Sequence, residues 1–128
     1  MSDVSMVYFR AAGGVGLAAA RDALREAGLE VNEAGDGLLV SWDDGPVLRI
    51  VHNTAPDVAA EAAALAETAG EPPVGMCDAR FEIAIDDLDE VLDEINTLIE
   101  TQSTLQHLSR GYVSNSWNDE LLLPDDDA

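Results

Sequence analysis

Residues able to do chemistry are sparse in this chain, and the sharpest spacing among them is Gly14-Val15-Gly16-Leu17-Ala18-Ala19. The segment follows a predicted strand and opens a predicted helix. It matches the G-x-G-x-x-A form in which glycine amides and a helix N-terminus hold a pyrophosphate. Glu33 and Asp36 fall near the distance at which such folds keep a ribose-binding acid. Residues 31–37, however, read as a turn where the motif needs a buried parallel strand, and no second βαβ half follows. The segment therefore reads as a glycine-rich strand-to-helix turn, and no cofactor is expected.

Cys77 is the one thiol, and a nucleophilic role would need a base. His52 and His107 are the two histidines, and nothing in the sequence brings either to Cys77, whose neighbour Asp78 raises the thiol pKa. Asp86, Asp87, Asp89, Glu90, Asp93 and Glu94 crowd the start of a predicted helix. Their spacing is not that of an EF-hand loop, so they read as a solvated, dipole-matched helix face rather than a metal site. Trp42, Tyr112 and Trp117 are the aromatics best suited to anchor a partner. Together with Arg49 and His52 they form the candidate set for partner or ligand contact, and no catalytic or metal-ligating residue is assigned.

The charge balance bounds the partners. Twenty-six acidic residues against six arginines and no lysine give a formal charge of −20 over 128 residues. Such a field repels nucleic-acid phosphates and anionic lipid headgroups and attracts a basic protein surface. It also suits a high-salt cytoplasm, where mutual repulsion is screened. A lone cysteine, the lack of a secretion-signal pattern at the start and the lack of a long apolar run predict a cytoplasmic protein with no membrane span.

The elements that must position these residues follow from periodicity and punctuation. Residues 4–10 read as a strand, and Leu17, Ala20, Leu24 and Ala27 as one helix face stopped by Gly28. Residues 29–32, 38–42 and 46–52 read as a meander turned at Asp36-Gly37 and at 43–45. Thr54 is expected to cap a helix that begins near Pro56 and ends at Gly70. Residues 71–78, with Pro72-Pro73, are expected to form an irregular connection. Residues 80–86 alternate as a half-buried strand. A long helix is then expected from Asp86 or Asp87 to about Arg110, its stripe of Leu88, Val91, Leu92, Ile95, Leu98, Ile99 and Leu105 buried and Gly111 its stop. Gln102 interrupts that stripe and is expected to face water or a dimer partner. Residues 112–117 suggest a last strand, and 124–128 a disordered acidic tail after a single domain spanning 1–123.

These elements predict an α+β fold, mainly antiparallel sheet with helices packed on it, in a ferredoxin-like βαββαβ order plus a long C-terminal helix. After the first strand is set aside, the order also resembles the curved-sheet arrangement of small secretion-chaperone-like proteins. The functional expectation is a small acidic interaction module (adaptor, neutralising partner or chaperone) acting on a basic protein surface, non-enzymatic, with a homodimer possible. The competing expectation is a small-ligand binder or enzyme with a site between sheet and long helix that employs His52, Arg49 or Cys77.

Overall fold

The computed structural model describes residues 3–11, 14–35, 37–41, 46–85, 88–93, 95–115 and 121–122. Apolar residues alternating with polar ones build β1 (Asp3–Phe9), β2 (Glu30–Ala34), β3 (Gly37–Ser41), β4 (Leu48–Asn53), β5 (Ala79–Ile85), β6 (Tyr112–Asn115) and β7 (Leu121–Leu122). They form one sheet in the order β2-β3-β4-β5-β1-β6-β7, with every adjacent pair antiparallel. The described residues also include α1 (Leu17–Glu26), α2 (Pro56–Ala69), α3 (Leu88–Asp93) and α4 (Ile95–Ser109).

The pleat sends Val7, Phe9, Leu38, Val40, Leu48, Ile50, Phe81, Ile83, Ile85 and Val113 to one face. There they bury against Ala20 and Leu24 of α1 and Val91, Leu98 and Leu105 from α3 and α4. On the opposite face Tyr8 packs with Val58 and Ala62 of α2 and with Cys77. The sheet is thus covered on both sides, by α1 and α4 on one and α2 on the other.

The mixed α+β class with an antiparallel sheet is as expected, but the strand order is not that of a ferredoxin-like sheet. The meander joins through β4 against β5, and β1 is flanked by β5 and β6. Element order along a chain states which strands exist, whereas pairing is decided by which edges and registers bury the most apolar surface.

Three helices end in the same way. The amides of Leu29, Glu71 and Gly111 donate to the carbonyls of Leu24, Ala66 and Gln106, closing Schellman turns through a left-handed residue. That residue is Gly28 (φ 96°) and Gly70 (φ 70°) in two of them, but Arg110 (φ 56°) in the third. Gly111 is needed for another reason. A Cβ there would stand 2.5 Å from the Tyr8 carbonyl oxygen, so glycine lets the chain leave α4 directly against β1.

Several local expectations are corrected. The first hairpin pairs Ala34 with Gly37, so Gly37 belongs to β3 rather than to the turn, and Gly35 (φ 59°) supplies a positive φ. Gly37 sits in the strand, where an added Cβ would meet the Ile50 carbonyl oxygen at 2.5 Å. The N-cap of α2 is Ala55, not Thr54, and the Asn53 side chain accepts the Ala55 amide at 2.9 Å just ahead of the first turn. Residues 72–76 form a 3-10 turn because two prolines with fixed φ start it and the Cys77 amide closes it on the Val74 carbonyl. The apolar stripe of the C-terminal helices is wider than the sheet can cover. Val91, Leu98 and Leu105 are buried, but Leu92 is 42% and Ile99 48% exposed. The expected caps Asp86 and Asp87, and the acidic tail, lie outside the described residues.

Candidate functional site

At one end of the sheet, where β1 stops and β6 starts, the chain leaves a cleft of about 480 Å³ lined by Phe9, Arg10, Pro73, Cys77, Ser109, Arg110 and Tyr112. Four separate segments converge on it. The end of β1 supplies Phe9 and Arg10, and the 3-10 turn with its cap supplies Pro73 and Cys77. The end of α4 supplies Ser109 and Arg110, and the start of β6 supplies Tyr112. The turn is tied to β1 by two contacts. The Asp78 amide donates to the Phe9 carbonyl at 3.2 Å, and the Ala11 amide donates to Asp78 Oδ1 at 2.8 Å.

The cleft joins cations to an apolar wall. Arg10 donates to Met76 Sδ at 3.0 Å. Among the described residues, neither Arg10 nor Arg110 has a carboxylate in salt-bridging range, whereas Arg21 pairs with Asp22 and Glu33, and Arg80 with Glu61 and Glu82. The Cys77 thiol, 2% exposed, is pushed up to about 11 by burial, with Arg10 pulling it down and Asp78 raising it. A thiol so protonated at neutral pH is a packing group rather than a nucleophile.

His52 lies under this wall rather than in it. Its ring stacks on Phe9 at 5.7 Å and leans on Phe81 at 5.4 Å, and the two phenylalanines stack on each other at 4.8 Å. Nε2 of His52 is buried without a hydrogen-bond partner, and burial lowers the His52 pKa from its usual value. An imidazole held neutral among aromatics is a poor proton donor, and among the described residues no thiol or hydroxyl is hydrogen-bonded to it to make it a base.

Two polar networks brace the surroundings. On the α2 face the Arg80 guanidinium lies 5.6 Å from the Tyr8 ring centroid, donates to the Tyr8 hydroxyl at 3.1 Å and pairs with Glu82 and Glu61. Burial acts to lower the Arg80 pKa, but the bonds to Glu82, Glu61 and Tyr8 raise it overall. The Tyr8 phenol is raised by burial, against the pull of Arg80. On the other face Gln102 of α4 is buried. Its Nε2 donates to Ser5 Oγ at 2.8 Å and to Asn115 Oδ1 at 2.9 Å, and the Ser5 hydroxyl donates to Asn115 Oδ1 at 2.7 Å. Gln102 therefore faces neither water nor a dimer partner. The triad pins α4 to β1 and β6.

The predicted contact residues are dispersed. Trp42 and Trp117 lie outside the described residues. Arg49 is exposed on β4, opposite Leu39 and Ala84, and by strand alternation points away from the face that carries His52. Among the described members of the set, Tyr112 alone lines the cleft. Arg10 and Arg110 were not singled out from the sequence. The available signal was their position at element ends in a chain with only six cations. Among the described residues no three His, Cys, Asp or Glu side chains gather as a metal site, and no helix is long and apolar enough to cross a membrane.

A second surface is carried by α3 and α4. Leu92 and Ile99, seven positions apart, emerge from α3 and α4 beside the exposed acids Asp89, Asp93 and Glu100. No protein-family model, curated protein or solved structure matches the chain.

Proposed function

We propose that the protein is a small acidic interaction module that docks a basic, amphipathic segment of a partner protein along α3 and α4, in the cytoplasm and without catalysis. The observation that carries this reading is the pair Leu92 and Ile99, large apolar side chains left exposed beside Asp89, Asp93 and Glu100. Apolar contact supplies affinity, and the flanking carboxylates set the sign of the partner. A second copy of the chain is disfavoured at this surface, because each copy carries a charge of −20.

The test is fluorescence anisotropy with a designed cationic amphipathic peptide and a scrambled peptide of equal charge that has no apolar face. The reading expects tighter binding of the amphipathic peptide, weakening as salt rises. It also expects a loss of roughly tenfold or more when Leu92→Gln and Ile99→Gln remove apolar contact worth about 1.5 kcal/mol or more. Equal binding of both peptides, or binding indifferent to these substitutions, refutes it.

A further inference from the structure

Arginines in a chain with 26 acidic residues should seldom lack a carboxylate partner. Arg21 and Arg80 do not lack one, and Arg25 donates to the Val31 carbonyl at 2.9 Å. Arg10, Arg25, Arg49 and Arg110 have no salt bridge among the described residues, and Arg10 and Arg110 line one concave site. Arg49 is exposed on β4.

The second observation is the backbone of Arg110. The corresponding residues after α1 and α2 are glycines, yet here an arginine occupies the left-handed region at φ 56°. A bulky residue held in that conformation is strained, and strain of this kind collects where a side chain must be aimed. Here it accompanies a guanidinium at the cleft.

We propose that this cleft binds a small organic anion, a carboxylate or phosphate that carries an apolar or planar group. Arg10 and Arg110 take the charge, since guanidinium groups match either oxyanion with two parallel bonds. Pro73 and Tyr112 take the remainder. The volume of about 480 Å³ fits a small molecule and lies within the range of such sites. Asp78, next to Cys77 in the chain, accepts a hydrogen bond from the Ala11 amide. Nucleic acid is excluded as the source of the phosphate by the overall charge. The site is separate from the docking surface on α3 and α4, so either proposal can fail alone.

The experiment follows the arginine Nε–H signals of the full chain by NMR at constant ionic strength. The probes are phenyl phosphate, benzoate, inorganic phosphate and acetate. Saturable movement of the Arg10 and Arg110 signals, with Arg25 and Arg49 still, is expected. The ring-bearing probes should bind about fivefold more tightly than their ringless counterparts. Preference between phenyl phosphate and benzoate identifies the head group, and either preference supports the site. Arg10→Gln and Arg110→Gln should each weaken binding by about tenfold or more. Arg110→Gly should also weaken it while raising the melting temperature, which separates loss of the site from loss of the fold. The proposal is overturned by signals that do not saturate, by equal movement of Arg49, by ringless anions binding as well as ring-bearing ones, or by unchanged affinity in Arg110→Gly.

Discussion

His52→Phe tests the aromatic layer beneath the cleft. The wild-type ring packs against both Phe9 and Phe81, with Nε2 buried and without a hydrogen-bond partner among the described residues. An unsatisfied buried polar atom costs about 1 to 3 kcal/mol, so replacing it by carbon should stabilise the fold by about 1 kcal/mol after allowance for the larger ring. For a chain of this length that is a rise in melting temperature of roughly 3 to 5 °C. The gain should depend on pH in a determined direction. Burial lowers the folded-state pKa of His52 below its unfolded value of about 6.5. Below that value the unfolded chain binds a proton that the folded one resists. The wild type therefore keeps its His52-dependent stability above about pH 6.5 and loses it as the pH falls. The one-proton ceiling on that loss is about 1.4 kcal/mol per pH unit, and the part of the ring that meets solvent reduces it. Urea unfolding of both proteins at pH 8.0, 6.5 and 5.5 should show a difference that widens towards acid. A less stable variant at pH 8.0, or a gap that stays constant across the series, would falsify the account of His52 as a neutral imidazole with an unsatisfied buried nitrogen.

Other expectations follow from the same geometry. Asn115→Ala removes the acceptor shared by Ser5 and Gln102 and should cost about 2 to 3 kcal/mol in urea unfolding. The combined replacement Ser5→Ala, Gln102→Leu and Asn115→Val should cost less than that single change, because it leaves no polar orphan. Gly37→Ala must displace the Ile50 carbonyl and should lower stability by about 2 kcal/mol or more, measured by thermal melting. Raising sodium chloride from 0.05 to 1 M shortens the screening length from over 10 Å to about 3 Å and should raise the melting temperature, because 26 carboxylates repel one another.

The parts of the fold that were legible in the sequence are those written in local pattern. Period-two alternation placed β5 within one residue, and Gly28 and Gly70 marked two helix ends because a left-handed terminus favours glycine. What was illegible depends on distant complementarity. Gln102 looked like a surface interruption of an apolar stripe. It is buried because Ser5, 97 residues earlier, and Asn115, 13 residues later, meet its amide. Leu92 and Ile99 looked like core because helical spacing cannot report how far the sheet beneath extends. The cleft was hidden for a similar reason, since its lining comes from four stretches of chain with no shared motif. The candidate set built on aromatics and histidine captured Tyr112 and missed both arginines.

The position of β1 governs how this molecule can come into being. It precedes by a long stretch of chain its two neighbours in the sheet, β5, with Phe9 opposite Ala79, and β6, with Ser5 opposite Asn115. A nascent chain that has not reached residue 79 leaves both rows of β1 amides and carbonyls bare, and one that has not reached residue 112 leaves one row bare. Closing loops of that length delays the transition state, so folding should be slow for a chain of this size. Until then Val7, Tyr8 and Phe9 form an uncovered sticky edge, and that interval is when a holding chaperone would matter most.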